Sequence, residues 1–153
     1  MTKTLSVSAI KNGTVIDHIR AGQALRIVRL LGLLENNKNQ VTLGLNLRSK
    51  LIGKKDLIKI ENRVLTNEEA NEIVIFAPEA TINIIKDFDV IQKINTHLPN
   101  VIANVFICPN PVCVTHNEPV ESVFHIEEQG KHIKLTCHYC EKIFDRDQVK
   151  VHI

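Results

Sequence analysis

Four cysteines constrain this chain more than any other residues in it. Cys108 and Cys113 form one pair, Cys137 and Cys140 another, with 23 residues between the pairs. Cys108-Pro-Asn-Pro-Val-Cys113 and Cys137-His-Tyr-Cys140 each bring two sulfurs to one side, which suits two short loops folded over a common point. Tetrahedral Zn²⁺ takes four such ligands at about 2.3 Å. The competing reading is a pair of disulfides. The N-terminal run MTKTLSVSAIKNG speaks against it, because it alternates apolar and polar residues instead of forming a secretory h-region; a cytoplasmic, reducing setting is expected. Four thiolates close the shell of the ion and leave no place for a reactive water, so the expected metal is structural. The surrounding segment has few bulky apolar side chains beyond Val101, Val105, Phe106, Ile107, Phe124, Ile133, Leu135 and Phe144, and modules this small usually need a staple. His116, His125, His132 and His138 lie near enough in sequence to compete as ligands, but the cysteine quartet is complete without them.

Charge divides the chain at the same place. Residues 1–97 hold 14 Lys and Arg against 10 Asp and Glu, whereas residues 98–153 hold 5 against 7. Thr96-His97-Leu98-Pro99-Asn100 interrupts an apolar run between the two parts, so domains at 1–97 and 98–153 are expected. Aromatic residues make up 4% of the chain, without Trp, so Ile, Leu and Val must build the core. No window reaches the ~18 unbroken apolar residues of a membrane span.

Leu5, Val7 and Ala9 alternate with polar residues as in a strand, Asn12-Gly13 reads as a turn, and Thr14–Ile19 continues extended. Ala24, Ile27, Val28, Leu31 and Leu34 fall at helical spacing within 21–34. Val41–Leu47 alternates strictly, Arg48–Lys55 reads as a basic loop, and Asp56–Glu61 as the next strand. Thr66-Asn-Glu-Glu69 matches a capping box ahead of a helix that Pro78 ends. Strands fit Ala80–Ile85 and Asp87–Ile94. This order predicts an α+β fold: a ferredoxin-like sandwich of an antiparallel sheet with two helices, followed by a small all-β zinc-binding domain.

Little in the sequence asks for catalysis, and no catalytic residue is assigned. Asp17 and His18 are neighbours in an extended segment, so their side chains point to opposite faces. There is neither a Gly-rich phosphate loop nor a nucleophile elbow. Lys59 and Lys93 would converge on an anion if strands 56–61 and 87–94 were neighbours; a solvated basic face is the plainer reading. A free zinc ribbon binding nucleic acid is the alternative from another class, but the cysteine-bearing part is net acidic, whereas phosphate contact needs concentrated positive charge.

Several segments occur here in the order of a known family: Gly13-Thr-Val-Ile-Asp-His-Ile19, Gly44-Leu-Asn-Leu47, Lys55-Asp-Leu-Ile-Lys-Ile-Glu-Asn62, Ala77-Pro78-x-Ala80-Thr81-x-Asn83, Cys108-Pro109-Asn110 and Cys137-x-x-Cys140-Glu141. From about Leu5 to Phe144 the chain resembles the regulatory chain of aspartate carbamoyltransferase. The resemblance implies a non-catalytic subunit of an enzyme of pyrimidine biosynthesis. Its N-terminal domain would bind ATP, CTP and UTP, and its zinc domain would grip the catalytic chain. Regulatory homodimers, joined through the allosteric domain, would link two catalytic trimers into a dodecamer, with no nucleic-acid or membrane partner.

Carried over by position, the resemblance implies a nucleotide site of Ala9 and Ile10 at the base, Asp17 and His18 at ribose and phosphate, and Lys59 at ribose and base. Asn83, Ile85, Phe88 and Val90 would line it, Lys93 would meet the phosphates, and Lys55 would lie by a second nucleotide. Cys108, Cys113, Cys137 and Cys140 would hold zinc, and Asn110 and Glu141 would contact the catalytic chain. Ser8, Phe88 and Val112 depart from residues usual in the family, which are Glu, Tyr and Asn.

Overall fold

The computed structural model describes residues 8–35 and 37–152. The chain divides into two compact units, Met1–Thr96 and His97–Ile153. Each is built around its own antiparallel sheet.

The first unit runs β1 (Gly13–Arg20), α1 (Ala24–Leu30), β2 (Val41–Ser49), β3 (Gly53–Glu61), α2 (Asn67–Phe76), β4 (Thr81–Lys86) and β5 (Asp89–Ile94). The strand order β2-β3-β1-β4-β5, antiparallel throughout, is the ferredoxin-like order with one strand added at the β4 edge. Alternation along the strands sets the two faces apart. Ile16, Ile58, Ile60, Ile82 and Ile84 are buried with Ile27, Ile73 and Phe76 of the helices. Val15, Asp17, Leu57, Lys59, Asn83 and Ile85 stand on the opposite face.

The helix ends have different origins. Thr66 caps α2 through a complete capping box with Glu69, so local sequence sets that boundary. The residue before α1, Gln23, supplies no side-chain cap. Instead Asp56, buried in β3, accepts the amides of Gly22 at 2.9 Å and Ala24 at 3.2 Å. The helix is therefore shorter than the expected 21–34, and its first turn depends on a carboxylate 32 residues away.

Several local expectations change. Leu5 and Val7 lie outside the described residues, and Ser8–Ile10 have no regular structure. Gly13 is not the corner of a turn but the first residue of β1, placed between Glu61 and Ile85. Its φ is +140°, and a Cβ there would lie 2.0 Å from the Ile60 carbonyl oxygen, so only glycine fits. The basic loop contracts: β2 reaches Ser49 and β3 starts at Gly53, because the backbone pairs Arg48 with Lys54 and Leu47 with Lys55. Thr14–Ile19 is not uniformly extended either. The β1–β3 register slips by one residue between Ile16 and Ile19, with His18 at φ 55°. That is a β-bulge, which redirects the side chains on either side of it.

The second unit contains β6 (Val101–Ala103), β7 (Phe106–Ile107), β8 (Val123–Gln129), β9 (His132–Cys137), β10 (Ile143–Asp145) and β11 (Lys150–Val151). A four-stranded sheet in the order β10-β9-β8-β6 accompanies the β7–β11 pair. Phe106 and Phe124 meet edge to face at 6.1 Å and are fully buried with Leu135. Val101 and Ile107, expected among the module's few core residues, are instead exposed. The buried apolar positions next to them are Ile102 and Phe106, because successive strand residues face opposite ways.

Candidate functional site

In the second unit the cysteines converge. Cys108 follows β7, Cys113 precedes a short 3₁₀ turn (Val114–His116), Cys137 ends β9, and Cys140 lies in the turn into β10. Only the second pair sits in a β-hairpin. The four sulfurs lie within 4.8 Å of one another, with Cys108 Sγ 3.7 Å from Cys140 Sγ and Cys113 Sγ 3.8 Å from Cys137 Sγ. A disulfide would require about 2.05 Å. Four ligands at ~2.3 Å from a tetrahedral ion are separated by about 3.8 Å, so the set fits that coordination. Backbone bonds hold the knuckles: Cys113 N–H donates to Asn110 O at 3.1 Å, and Glu141 N–H, with φ 61°, donates to Cys137 O at 2.9 Å.

Electrostatics favour a cation here. Burial pushes the Cys108 and Cys137 thiols up. Burial acts upward on Cys140 too, but the Asn110 side chain and the Lys142 amide, bonding to its sulfur, bring it down to about 7. Ionising all four together requires a positive charge in their midst. None of the four nearby histidines joins the cluster: His116 bonds the Cys108 carbonyl at 2.9 Å, and His125 and His138 face each other.

Asn110 and Glu141, the residues implied for a partner interface, differ in setting. Asn110 is 6% exposed, its Oδ1 taking the Val112 amide at 3.2 Å. It shapes the first knuckle. Glu141 is exposed beside the second.

In the first unit, the face opposite the helices forms a cleft of about 490 Å³. The structure brings Ala9, Ile10, Asp17, Lys55, Lys59, Ile85 and Phe88 into its lining. His18, Asn83, Val90 and Lys93 are outside that lining. Val15, Leu47, Arg48 and Leu57 complete it, and of these Val15 and Leu57 were legible only as the alternate positions of β1 and β3.

The lysine geometry differs from the simple expectation. β3 and β5 are not neighbours, because β1 and β4 lie between them. Yet the register places Lys59 opposite Val15, Val15 opposite Asn83, and Asn83 opposite Lys93. Both lysines thus belong to one row on one face, three strand spacings or roughly 14 Å apart. Asn83 Oδ1, buried in the middle of that row, has no hydrogen-bond partner.

Asp17 and His18 form no dyad. Asp17 Oδ1 accepts the Lys55 ammonium at 2.8 Å and the His18 amide at 2.6 Å, while His18 Nδ1 lies 3.1 Å from Thr81 Oγ1. Burial acts to raise the Asp17 pKa, but Lys55 and the His18 amide outweigh it and hold the carboxyl below its ordinary value. Burial lowers the Lys59 pKa, with Asp17 opposing. Its ammonium donates to the Ser8 carbonyl at 2.8 Å.

Asp56 is the residue that motif reading missed. Besides its two bonds at α1, it accepts the Asn46 amide at 2.9 Å. Asn46, at φ 58°, is in the bulge where β2 slips against β3. One carboxylate thus pins a helix start and the bulge beside it. In the sequence Asp56 stands between Lys55 and the apolar pair Leu57-Ile58, where it reads as an ordinary polar strand start. Only its burial, 2% exposed, marks it, because an unpartnered buried charge would be costly.

Together the fold and sites define a two-unit chain: an α+β unit with a lysine-bearing cleft, and a small β unit with a four-thiolate metal cage. The family described as aspartate carbamoyltransferase regulatory chain, allosteric domain, matches residues 5–97, and the one described as its metal binding domain matches residues 100–150. A regulatory chain of that enzyme from Chromobacterium violaceum is 50% identical over 149 residues, covering 97% of each chain. One from Aeromonas hydrophila is 50% identical over 145 residues, covering 95% of this chain and 94% of the relative. One from Vibrio cholerae is 49% identical over 145 residues, covering 95% and 93%. The chain belongs to the aspartate carbamoyltransferase regulatory chain family, a family of non-catalytic subunits. No helix among the described residues is long and apolar enough to cross a membrane.

Proposed function

We propose that this chain is a cytoplasmic allosteric subunit that binds CTP, ATP and UTP on the open face of residues 1–97. Residues 98–153, stapled by Zn²⁺, grip the catalytic chain of aspartate carbamoyltransferase. In the assembly implied, three regulatory homodimers, paired through residues 1–97, join two catalytic trimers and control the first committed step of pyrimidine synthesis.

The observation carrying this reading is the cross-strand row Lys59–Val15–Asn83–Lys93 beside the cleft. A nucleoside triphosphate needs a shelf for the base at one end and fixed cations for phosphate at the other. Ala9, Ile10 and Phe88 offer the apolar contacts. Lys59 lies inside the cleft, while Lys93 stands exposed at the far end of the row. In the second unit, the donor set suits Zn²⁺ held by Cys108, Cys113, Cys137 and Cys140, whose contribution is to fold the surface that carries Glu141.

The effector works through coupling: it must bind two quaternary states unequally, typically by ~1–3 kcal/mol. The test is aspartate saturation of the enzyme reconstituted with its catalytic chain, titrated with CTP and ATP. Each nucleotide should shift half-saturation. Lys93→Ala should weaken both nucleotides without dissolving the assembly, since a charge-assisted bond is worth roughly 1.5–3 kcal/mol and phosphate is common to all triphosphates. A change in base preference at unchanged affinity would place that lysine elsewhere.

A further inference from the structure

His125 stands on β8 and His138 in the turn after β9, and His125 Nε2 lies 3.0 Å from His138 Nδ1. Both side chains are exposed. Their approach is set by backbone. His125 is opposite Thr136 in the β8–β9 register, and the His138 amide donates to the Val123 carbonyl at 2.9 Å. Tyr139 meets the His138 ring edge-on, with centroids 5.2 Å apart.

Two nitrogens bound side by side to one ion at about 2.0–2.1 Å are separated by roughly 2.9–3.4 Å. The observed 3.0 Å falls in that interval. The ring centroids are 5.2 Å apart and the planes inclined at 41°, so the nitrogens now face each other nearly in line. A shared ion requires each exposed ring to swing until the lone pairs converge, with little change in their separation.

We propose that His125 and His138 form a second metal site, open to solvent and separate from the cysteine cage. It would take a divalent ion that favours imidazole, such as Zn²⁺, Ni²⁺ or Cu²⁺, with water completing the shell. The cage takes no part, because its four sulfurs already close one coordination sphere.

The experiment uses the full chain with its cage filled, dialysed to equilibrium against Zn²⁺ alone, followed by metal analysis. Wild type should take up one further equivalent, weaker than the first, and His125→Ala and His138→Ala should each lose it while keeping the first. His138 adjoins Cys137, so His125→Ala, on a strand that supplies no cysteine, separates the two sites if the other variant disturbs the cage. Ni²⁺ should also broaden the NMR signals of both imidazoles together. Absence of a further equivalent in wild type overturns the proposal and leaves a simple N–H···N bond between the rings. Its persistence in both variants also overturns it, by placing the extra ion elsewhere.

Discussion

Ile16, Ile58 and Ile82 are between 0% and 2% exposed on the sealed face of the first unit, joined there by Ile27, Ile73 and Phe76 from two helices. The second unit has no α-helix among its described residues. Its deepest side chains are Phe106, Phe124 and Leu135, and Cys108, Cys113 and Cys137 are buried beside them. One unit covers its sheet with a second apolar layer. The other has too little apolar surface for that and closes its loops on a metal. The difference shows in what each unit presents: the first keeps a cleft of about 490 Å³ on the sheet face away from its helices, while the second has its four cysteine sulfurs drawn to one point.

The largest test of this contrast is the cage. Cys137→Ala, or removal of the metal by a chelator, should unfold the second unit and leave the first intact, since structural zinc sites carry about 10–16 kcal/mol of apparent binding energy linked to folding. Metal analysis with resolved NMR signals of each unit checks this. Native signals from both units after complete loss of metal would break the comparison.

The converse test is Phe76→Ala. Phe76 is fully buried at the end of α2, with the Arg26 guanidinium 5.8 Å from its ring centroid. Truncation should destabilise the first unit by about 3–5 kcal/mol, read from urea denaturation, at unchanged metal content. Metal loss in step with unfolding would show that the units are not independent in stability.

Asp56→Asn sharpens the picture within the first unit. The amide keeps one acceptor oxygen and puts an N–H₂ donor in place of the other. It therefore cannot accept both from Gly22 and Ala24, which share Oδ2, and from Asn46, which uses Oδ1. A loss of about 1–3 kcal/mol is expected, with amide exchange accelerated first at α1 and the β2 bulge. Uniform acceleration across the sheet would mean that Asp56 is not the local pin.

The smallest effect belongs to the Asp17–Lys55 pair. The native pKa of Asp17 is lowered from 3.8, so the pair's contribution is fully present above that value and fades as pH falls through the lower native one. Both side chains are partly exposed, so it should stay below about 1 kcal/mol. Asp17→Asn should flatten this acid limb of the stability curve; an unchanged limb would assign it to other carboxylates.

Sequence alone determined the features that depend on short spacing. The two cysteine pairs announced a metal cage because ligand chemistry restricts residue type and distance together. Thr66 and Glu69 announced the start of α2 because both halves of a capping box lie within one turn. Strand alternation announced the open and sealed faces, and the motif run from Gly13 to Asn62 announced the family.

Tertiary structure decided what depends on pairing between distant segments. Gly13 looked like a turn residue until β3 and β4 closed on either side of it. His18 looked extended until the one-residue slip against β3 turned its ring toward Thr81. Lys59 and Lys93 share a face, but only the strand order reveals that β1 and β4 separate them. Asp56 looked like the polar first residue of a strand until the fold brought three amides to its carboxylate. In each case the deciding partner lies far along the chain. Local propensity contains no term for it, whereas register and burial fix it once the sheet has formed.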